Sequence, residues 1–146
     1  MNNMNNNTKT NNTWKLLDFE IGLTKPLFLI AGPCVVENEN MVFEIGERVA
    51  AICKKLDIPY IFKASYRKAN RTSGSSFTGI GDEVALNLIK DLGFKLNLPT
   101  TTDIHTANEA ALAAQYVDVL QIPAFLCRQT DLLNAAAATG KIVNVK

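Results

Sequence analysis

Short apolar runs alternate along the chain with longer segments in which apolar residues recur every three or four positions. The apolar runs have the usual length of β-strands, and five of them lie at residues 27–31, 59–64, 98–102, 117–122 and 141–145. Helical periodicity occupies the intervals between them, at residues 38–56, 82–92, 106–116 and 130–139. Strands that alternate with helices in this way predict a parallel sheet joined by right-handed helical crossovers. The predicted fold class is therefore α/β.

The spacing of apolar residues also predicts which face of a helix packs on the sheet. In the first helix the predicted core-facing stripe comprises Phe43 or Ile45, Val49, Ile52 and Leu56, with Cys53 beside Ile52. In the second helix it comprises Val84, Leu88, Ile89 and Leu92. Gly93 is expected to cap the end of the second helix, and Thr106 with Glu109 predicts a capping box at the start of the third.

Two closures are open to such a sheet, a (β/α)8 TIM barrel or an open doubly wound sheet. Polar residues follow almost every predicted strand, namely Gly32-Pro33-Cys34, residues 65–71, Asp103 with His105, residues 124–128, and Lys146. Polar chemistry at the C-terminal ends of successive strands is typical of a TIM barrel, whereas a doubly wound sheet concentrates it at one switch point. A barrel needs about 250 residues, so this chain of 146 residues is expected to form about the first half of one.

The N-terminal segment differs in composition from the rest of the chain. Seven of the first twelve residues are Asn. Residues 1–13 are therefore predicted to be a disordered tail, without the apolar or Arg-rich character of a targeting peptide. Residues 14–26 are predicted to form a hairpin or cap at the end of the barrel opposite the polar residues, and residues 27–146 to form the half-barrel.

The overall charge gives no reason to expect binding to nucleic acid or to a membrane. Fifteen basic and fourteen acidic residues leave a formal charge of +1, and no apolar run approaches the roughly 20 residues that span a bilayer. Cys34, Cys53 and Cys127 are an odd number of thiols without a short paired spacing, which favours a reducing compartment. We therefore expect a cytoplasmic protein whose anion-binding sites are local.

A cluster of basic residues follows the second predicted strand. Lys63, Arg67, Lys68 and Arg71 lie within nine residues of one another, with hydroxyl and amide side chains between them. One interpretation is a solvated basic loop. Lys63, however, lies inside an apolar strand, where its charge is costly to bury unless an anionic ligand or a carboxylate partner meets it. The combination favours a phosphorylated, polyhydroxylated ligand.

Cys34 and His105 each leave more than one interpretation open. Cys34 follows a Gly-Pro turn and is either a small buried residue or a nucleophile or metal ligand facing the cavity. Asp103 and His105 are two residues apart, so they are expected on the same side of an extended segment. His105 is the one histidine of the chain and is either structural or catalytic. Arg128 can pair with Asp131, and Lys146 lies where a phosphate-binding lysine is expected.

Six motifs follow one another in order along the chain. They are Ala31-Gly32-Pro33-Cys34, Phe62-Lys63-Ala64-Ser65, Lys68-Ala69-Asn70-Arg71, Thr102-Asp103-Ile104-His105, Gln121-Ile122-Pro123-Ala124-Phe125-Leu126 with Arg128-Gln129-Thr130-Asp131, and Val143-Asn144-Val145-Lys146. Together they resemble the 3-deoxy-D-manno-octulosonate 8-phosphate synthase family, over nearly all of residues 27–146. The Lys-Ala-Asn-Arg element separates this family from the sister 3-deoxy-D-arabino-heptulosonate 7-phosphate synthases, which look like Lys-Pro-Arg-Thr there.

The resemblance implies a TIM-barrel enzyme that condenses phosphoenolpyruvate with D-arabinose 5-phosphate and water and releases phosphate, in the biosynthesis of the Kdo sugar of lipopolysaccharide. It implies a phosphoenolpyruvate pocket made of Lys63, Ser65, Lys68 and Gln121, with a phosphate site at Lys146 and the backbone of Ala124 and Phe125. Asn70, Arg71 and Thr72 are implied to bind the pentose phosphate, Asp103 the sugar hydroxyls, and Arg128 the phosphate in a neighbouring subunit's site. The implied catalytic residues are Lys63, Lys68 and Asp103.

Cys34 resembles the metal-dependent form of that family, in which a thiolate, a His, a Glu and an Asp hold a divalent metal ion. The other three ligands come from later strands that this chain does not contain, and the family also implies a homo-oligomer, a tetramer. Three alternatives stay open: a heptulosonate phosphate synthase of aromatic amino-acid biosynthesis, a non-catalytic half-barrel that associates with itself or a partner half, and a sugar-phosphate-binding module without turnover.

Overall fold

The computed structural model describes residues 13–68 and 78–146. Its strands are β1 (Thr13–Leu16), β2 (Phe19–Gly22), β3 (Leu29–Ala31), β4 (Tyr60–Lys63), β5 (Thr100–Asp103), β6 (Val119–Ile122) and β7 (Ile142–Val145). Its helices are α1 (Glu39–Lys55), α2 (Asp82–Leu96), α3 (Ala107–Ala113) and α4 (Thr130–Ala138), with a 3₁₀ turn at Ala124–Leu126. Within these residues no helix has both the length and the apolar character needed to cross a membrane.

Strands β3 to β7 form one parallel sheet in which the order in space follows the order in the chain. One core cluster joins all four helices to the same sheet face, through Phe62, Leu120 and Ile122. A doubly wound sheet reverses its strand order and carries helices on both faces, so that closure does not fit. The predicted α/β class is confirmed, and the parallel sheet with helices on one face fits part of a TIM barrel.

The other face of the sheet, here called the inner face, is covered in part by a hairpin. Strands β1 and β2 pair antiparallel through a turn at Leu17 and Asp18, and the hairpin buries Leu16 and Ile21 against Ile61 and Val119. A cavity of about 780 Å³ opens beside this contact. It is lined by Trp14, Leu16, Ile21, Gly22, Leu23, Phe28, Ile30, Ile61, Val119, Gly140, Lys141, Ile142, Val143 and Asn144. The part of the inner face next to the hairpin is therefore apolar.

The buried side of α1 differs from the predicted stripe. Val42, Gly46 and Cys53 are buried, whereas Ile52 is 52% exposed and Leu56 60% exposed. The predicted burial of Cys53 is confirmed, and the placement of Ile52 and Leu56 in the core is wrong. The contact between α1 and α2 passes through Gly46, which packs on Leu92 and has no apolar side chain to contribute to the pattern. In α2, Val84 is likewise exposed rather than buried.

The predicted end of α2 at Gly93 is also wrong. The helix continues to Leu96, and the residue that caps it is Asn97, whose φ of 51° is in the left-handed region. Gly93 is buried within the helix, where a β-carbon would lie 2.6 Å from Cγ2 of Thr100. Gly93 therefore allows α2 to approach β5 closely, which is a packing role and not a capping role.

The predicted capping box at the start of α3 does not form. The hydroxyl of Thr106 makes no hydrogen bond to the helix backbone, and α3 ends at Ala113 rather than near Tyr116. The carboxylate of Glu109 accepts instead from the backbone N–H of His105, at 2.8 Å. Tyr66 and Arg67 also donate to this carboxylate, and these donors decide where the Glu109 side chain points.

Candidate active site

A row of polar side chains crosses the inner face near the C-terminal ends of the strands, next to the apolar part that the hairpin contacts. Because alternate residues of a strand face opposite sides, Lys63 shares the inner face with Ile61, and Gln121 shares it with Val119. The register places Asp103 of β5 opposite Gln121 of β6, and Gln121 opposite Asn144 of β7. Each of four neighbouring strands thus brings a polar side chain to the same face near its C-terminal end.

These side chains form one connected set of hydrogen bonds, which we name the Asp103 network. Its members are Lys63, Ser65, Asp103, Gln121 and Asn144. The Lys63 ammonium lies 2.9 Å from Oδ2 of Asp103 and donates to the Ser65 hydroxyl at 2.8 Å. Ser65 donates to Asp103, and Nε2 of Gln121 donates to Oδ1 of Asp103 at 2.6 Å. Nδ2 of Asn144 donates to Oε1 of Gln121 at 2.8 Å.

The network keeps the Asp103 carboxylate ionised although the residue is only 8% exposed. Burial acts to raise the pKa of Asp103, but hydrogen bonds from Gln121, Ser65 and Lys63 outweigh it, so the pKa lies below its ordinary value. The side chain of Lys63 is 19% exposed and can be reached from the inner face. An ammonium, a hydroxyl and an amide around a fixed carboxylate form a surface suited to a charged, hydroxylated ligand.

A glycine lets the end of β3 approach this network. The φ of Gly32 is 155°, and a β-carbon there would lie 2.0 Å from the carbonyl oxygen of Lys63. Any other residue would therefore push β3 away from β4 at the level of the site. Val35 then pairs with Ser65 in a parallel bridge, which extends the contact past the ends of both strands.

Cys34 lies exposed beside this bridge. Across residues 13–68 and 78–146, no group of three or more His, Cys, Asp and Glu side chains is placed to hold a metal ion. One thiolate does not define a site for a divalent metal. The described residues of this chain therefore do not fit a metal centre on their own.

The remaining predicted site residues surround the C-terminal ends of the strands. Lys68 is half-buried, and its backbone N–H donates to the carbonyl of Thr78 at 2.9 Å. Ala124 and Phe125 form the exposed turn after β6, and Arg128 is exposed after that turn. Lys146 is exposed, and its N–H donates to the carbonyl of Ile122 at 3.1 Å. Asn70, Arg71 and Thr72 lie outside the described residues.

His105 does not share the surroundings of Asp103, so that expectation is wrong. Strand β5 ends at Asp103, and the strand alternation does not continue to His105. Nδ1 of His105 lies 3.3 Å from Oε2 of Glu109, and its ring centroid lies 6.4 Å from that of Tyr66. These contacts give His105 a structural place between β4 and α3.

His105 belongs to a second polar set, which we name the Glu109 cluster. It comprises Tyr66, Arg67, Asp82, His105 and Glu109. The Tyr66 hydroxyl and the Arg67 guanidinium both donate to Glu109, and Arg67 also pairs with Asp82 at the start of α2. Burial acts to raise the pKa of Glu109, but hydrogen bonds from His105 and Tyr66 lower it to about 2. Burial and the bond to Glu109 raise the pKa of Tyr66.

The sequence interpretation missed Asn144 and Glu109. Asn144 is a polar residue within an apolar strand, which is the same signal that singled out Lys63, and its register with Gln121 adds it to the site. Glu109 carried no such signal, because its place near the helix start was explained by the expected capping box.

The sequence of the chain is similar to sequences of known proteins. Residues 4–146 match the DAHP synthetase I family. A 2-dehydro-3-deoxyphosphooctonate aldolase of Burkholderia multivorans is 54% identical over 132 residues, which cover 90% of this chain and 46% of the relative. The protein of the same name from Koribacter versatilis is 56% identical over 133 residues, covering 91% of this chain and 48% of the relative.

The chain therefore spans about half the length of the curated relatives that it matches. The family match extends over nearly all of its residues, including every described member of the Asp103 network. On that match, the chain belongs to the DAHP synthetase I family.

Proposed function

We propose that this chain is part of a 2-dehydro-3-deoxyphosphooctonate aldolase, which condenses phosphoenolpyruvate with D-arabinose 5-phosphate and water and releases phosphate. The observation that carries the proposal is the Asp103 network, in which a reachable ammonium and a fixed carboxylate lie at the C-terminal ends of parallel strands. This is the catalytic face of barrel enzymes. The relatives bearing that name share more than half of their aligned residues with the chain.

In this reaction the chain's own residues bind and orient two anionic substrates. Lys63 and Lys68 offset the carboxylate of phosphoenolpyruvate, and Lys146 with the turn at Ala124 and Phe125 receives its phosphate. Addition of water at the second carbon builds charge in the site, so cations held in place by the fold lower the barrier. Asp103 stays ionised and accepts hydrogen bonds from the sugar hydroxyls. Asn70, Arg71 and Thr72 are proposed to hold the pentose phosphate.

The active barrel in this proposal also needs strands beyond those that the structure describes. Over residues 13–68 and 78–146 the parallel sheet has five strands, against eight in a complete barrel, and the apolar cavity lies open on its inner face. We propose that the chain is the first half of the barrel and that the second half packs against this cavity. The alternative function, which is not enzymatic, is a non-catalytic half-barrel that associates with itself or with a partner half.

The proposal is tested by completing the barrel. The chain is joined to the part of the Burkholderia multivorans relative that lies beyond the match, giving what we call the completed enzyme. We expect it to release phosphate from phosphoenolpyruvate only when arabinose 5-phosphate is present. Equal use of erythrose 4-phosphate would favour the heptulosonate synthase, which the names of the relatives do not favour. Absence of release with either sugar phosphate would reject the proposed activity.

Lys63→Met in the completed enzyme tests the role of the network. We expect phosphate release to fall about 100-fold, the size of effect seen when a group that stabilises developing charge is removed. Lys54→Met is the matched control, because Lys54 is exposed on α1, and it is expected to leave the rate unchanged. Equal rates of phosphate release in the two variants would show that Lys63 does not act in the site.

We further propose that Cys34 supplies one ligand to a divalent metal ion, with the other ligands in the second half of the barrel. The described residues of this chain do not complete a metal site by themselves. Metal content measured on the completed enzyme should fall in Cys34→Asn and should be retained in Cys127→Ser. Retained metal in Cys34→Asn would reject this ligand.

We propose a cytoplasmic homo-oligomer, a tetramer, in which Arg128 reaches the substrate site of a neighbouring subunit. Arg128 is exposed after the turn that follows β6, which is where a side chain can extend beyond its own subunit. The sedimentation coefficient of the completed enzyme measures its oligomeric state. A completed enzyme that sediments as a monomer and still releases phosphate would reject the proposed oligomer.

A further inference from the structure

Asn144 lies at one end of the Asp103 network and has no role in the function proposed above. We infer that Asn144 is a positioning residue, which holds the Gln121 side-chain amide in the one orientation that donates to Asp103. The effect of Asn144 on catalysis rests on the proposed function, whereas its effect on the orientation of Gln121 does not. The geometric part depends on contacts within this chain alone.

The donors and acceptors of the network allow only one arrangement. An ammonium can only donate and an ionised carboxylate can only accept, so Lys63 and Asp103 fix the direction of every bond between them. Gln121 must then turn Nε2 toward Oδ1 of Asp103, which it meets at 2.6 Å. Its oxygen Oε1 is left facing Asn144, and Asn144 must answer with its NH₂ group, at 2.8 Å.

The opposite orientation of Gln121 would be harmful to the site. It would place Oε1, an acceptor, against the Asp103 carboxylate and remove one of the hydrogen bonds that stabilise its charge. Since Gln121 is only 4% exposed, water gives little help in choosing between the two orientations. The donor at Asn144 adds to the preference that Asp103 imposes, because it favours an oxygen on its side of the Gln121 amide.

The backbone fixes this relay across three strands. Asn144 pairs with Gln121 in the β6–β7 register, and Gln121 pairs with Asp103 in the β5–β6 register. Among the described residues that contact Asp103, the charged group is Lys63 from β4, while β6 contributes the neutral Gln121. A change at Asn144 therefore reaches Asp103 through the Gln121 amide without altering a neighbouring charge.

The test compares Asn144→Leu with Val145→Ala in the completed enzyme. Leu has nearly the shape of Asn but no donor, and Val145 is the half-exposed neighbour on the same strand. The titration of Asp103 is followed by the carboxyl ¹³C shift of labelled Asp, assigned with Asp103→Asn. We expect the midpoint to rise by about one pH unit in Asn144→Leu, the size of a lost hydrogen bond to a charged group. Val145→Ala should leave it unchanged.

A double substitution shows whether Gln121 carries the effect. Once Gln121→Leu has removed the amide, adding Asn144→Leu should cause no further rise of the Asp103 midpoint. A midpoint in Asn144→Leu equal to that in Val145→Ala would overturn the inference, and so would a further rise in the Gln121→Leu background. Asn144→Ala gives the same comparison with a smaller side chain if the Leu variant does not fold.

The catalytic consequence is measured on the same proteins. The acidic limb of the pH profile of kcat/KM should move by about the same one unit in Asn144→Leu, and loss of stability alone would not move it. An unmodified completed enzyme that releases no phosphate would reject the proposed function. The ¹³C titration requires no turnover, so it would still decide the role of Asn144.

Discussion

Lys63 can occupy a strand of apolar side chains because its ammonium lies 2.9 Å from a carboxylate on the next strand. The sequence pattern required either an anionic ligand or such a partner, and Asp103 is that partner. Removing one member of a partly buried ion pair leaves an uncompensated charge, which is much more costly than the pair itself. The pair is therefore complete within the protein itself, without a ligand.

Glu109 gives a prediction about acid stability. Its folded-state pKa of about 2 lies below the ordinary 4.5, so the folded protein binds fewer protons at this group than the unfolded chain does. Its contribution to stability is therefore present above pH 4.5 and is lost as the pH falls toward 2. We expect Glu109→Gln to lower the free energy of unfolding by about 3 kcal/mol at neutral pH, with the difference shrinking as the pH approaches 2.

Glu47→Gln is the control for this experiment. Glu47 also pairs with a cation, Lys95, at 2.7 Å, but both side chains are about half exposed, so its loss is expected to cost less than about 1 kcal/mol. Urea unfolding at several pH values measures both variants. A Glu109→Gln effect that stays constant from pH 7 to pH 2.5 would contradict the assignment of a lowered pKa to this cluster.

At the scale of elements, the sequence pattern located the strands and helices well but not their faces and ends. The predicted strand at residues 59–64, for example, contains the observed β4 (Tyr60–Lys63), because an apolar run must lie in the core whichever element covers it. The buried side of α1 depends on where α2 packs, and that contact uses Gly46. Asp103 with Gln121 could be expected as neighbours from strand ends alone, whereas the Glu109 cluster depends on how α3 sits against β4 and α2.

Gly93 provides the prediction at this scale. A Gly→Ala change inside an exposed helix stabilises by up to about 1 kcal/mol. At Gly93 the new methyl group would lie 2.6 Å from Thr100 Cγ2 and 3.0 Å from the Leu98 carbonyl oxygen, so we expect Gly93→Ala to destabilise by about 2 kcal/mol. Thermal or urea unfolding measures the change.

A second substitution separates this clash from a loss of backbone freedom. Thr100→Ser deletes the Cγ2 methyl group. In the Thr100→Ser background, Gly93→Ala should therefore lower the free energy of unfolding by less than it does in the unmodified chain. Strict additivity of the two changes would show that the helix–strand approach is not what Gly93 provides.

At the scale of the whole molecule, the sheet has one covered face and one partly open face. The helices bury one face, while the hairpin covers only part of the inner face and leaves an apolar cavity of about 780 Å³. Open apolar surface of this kind marks a place where further polypeptide packs. Trp14, the one tryptophan of the chain, lines the cavity and is half-exposed.

The fluorescence of Trp14 should therefore report the covering of the cavity. We expect its emission to shift to shorter wavelength, and quenching by acrylamide to decrease, when the second half of the relative is added as a separate polypeptide. Any tryptophan of the added half is replaced by Phe so that Trp14 alone is observed. Emission that does not change, although sedimentation shows that the two polypeptides bind, would place the contact elsewhere.

The Asp103 network joins consecutive strands and never skips one. Ser65 reaches Asp103 across 38 residues, Asp103 reaches Gln121 across 18, and Gln121 reaches Asn144 across 23. During synthesis each link thus connects a strand that has already left the ribosome to the next one that emerges. Every hydrogen bond of the network can form once Asn144 has emerged, so the polar layer of the site can be assembled before any later part of a barrel has left the ribosome.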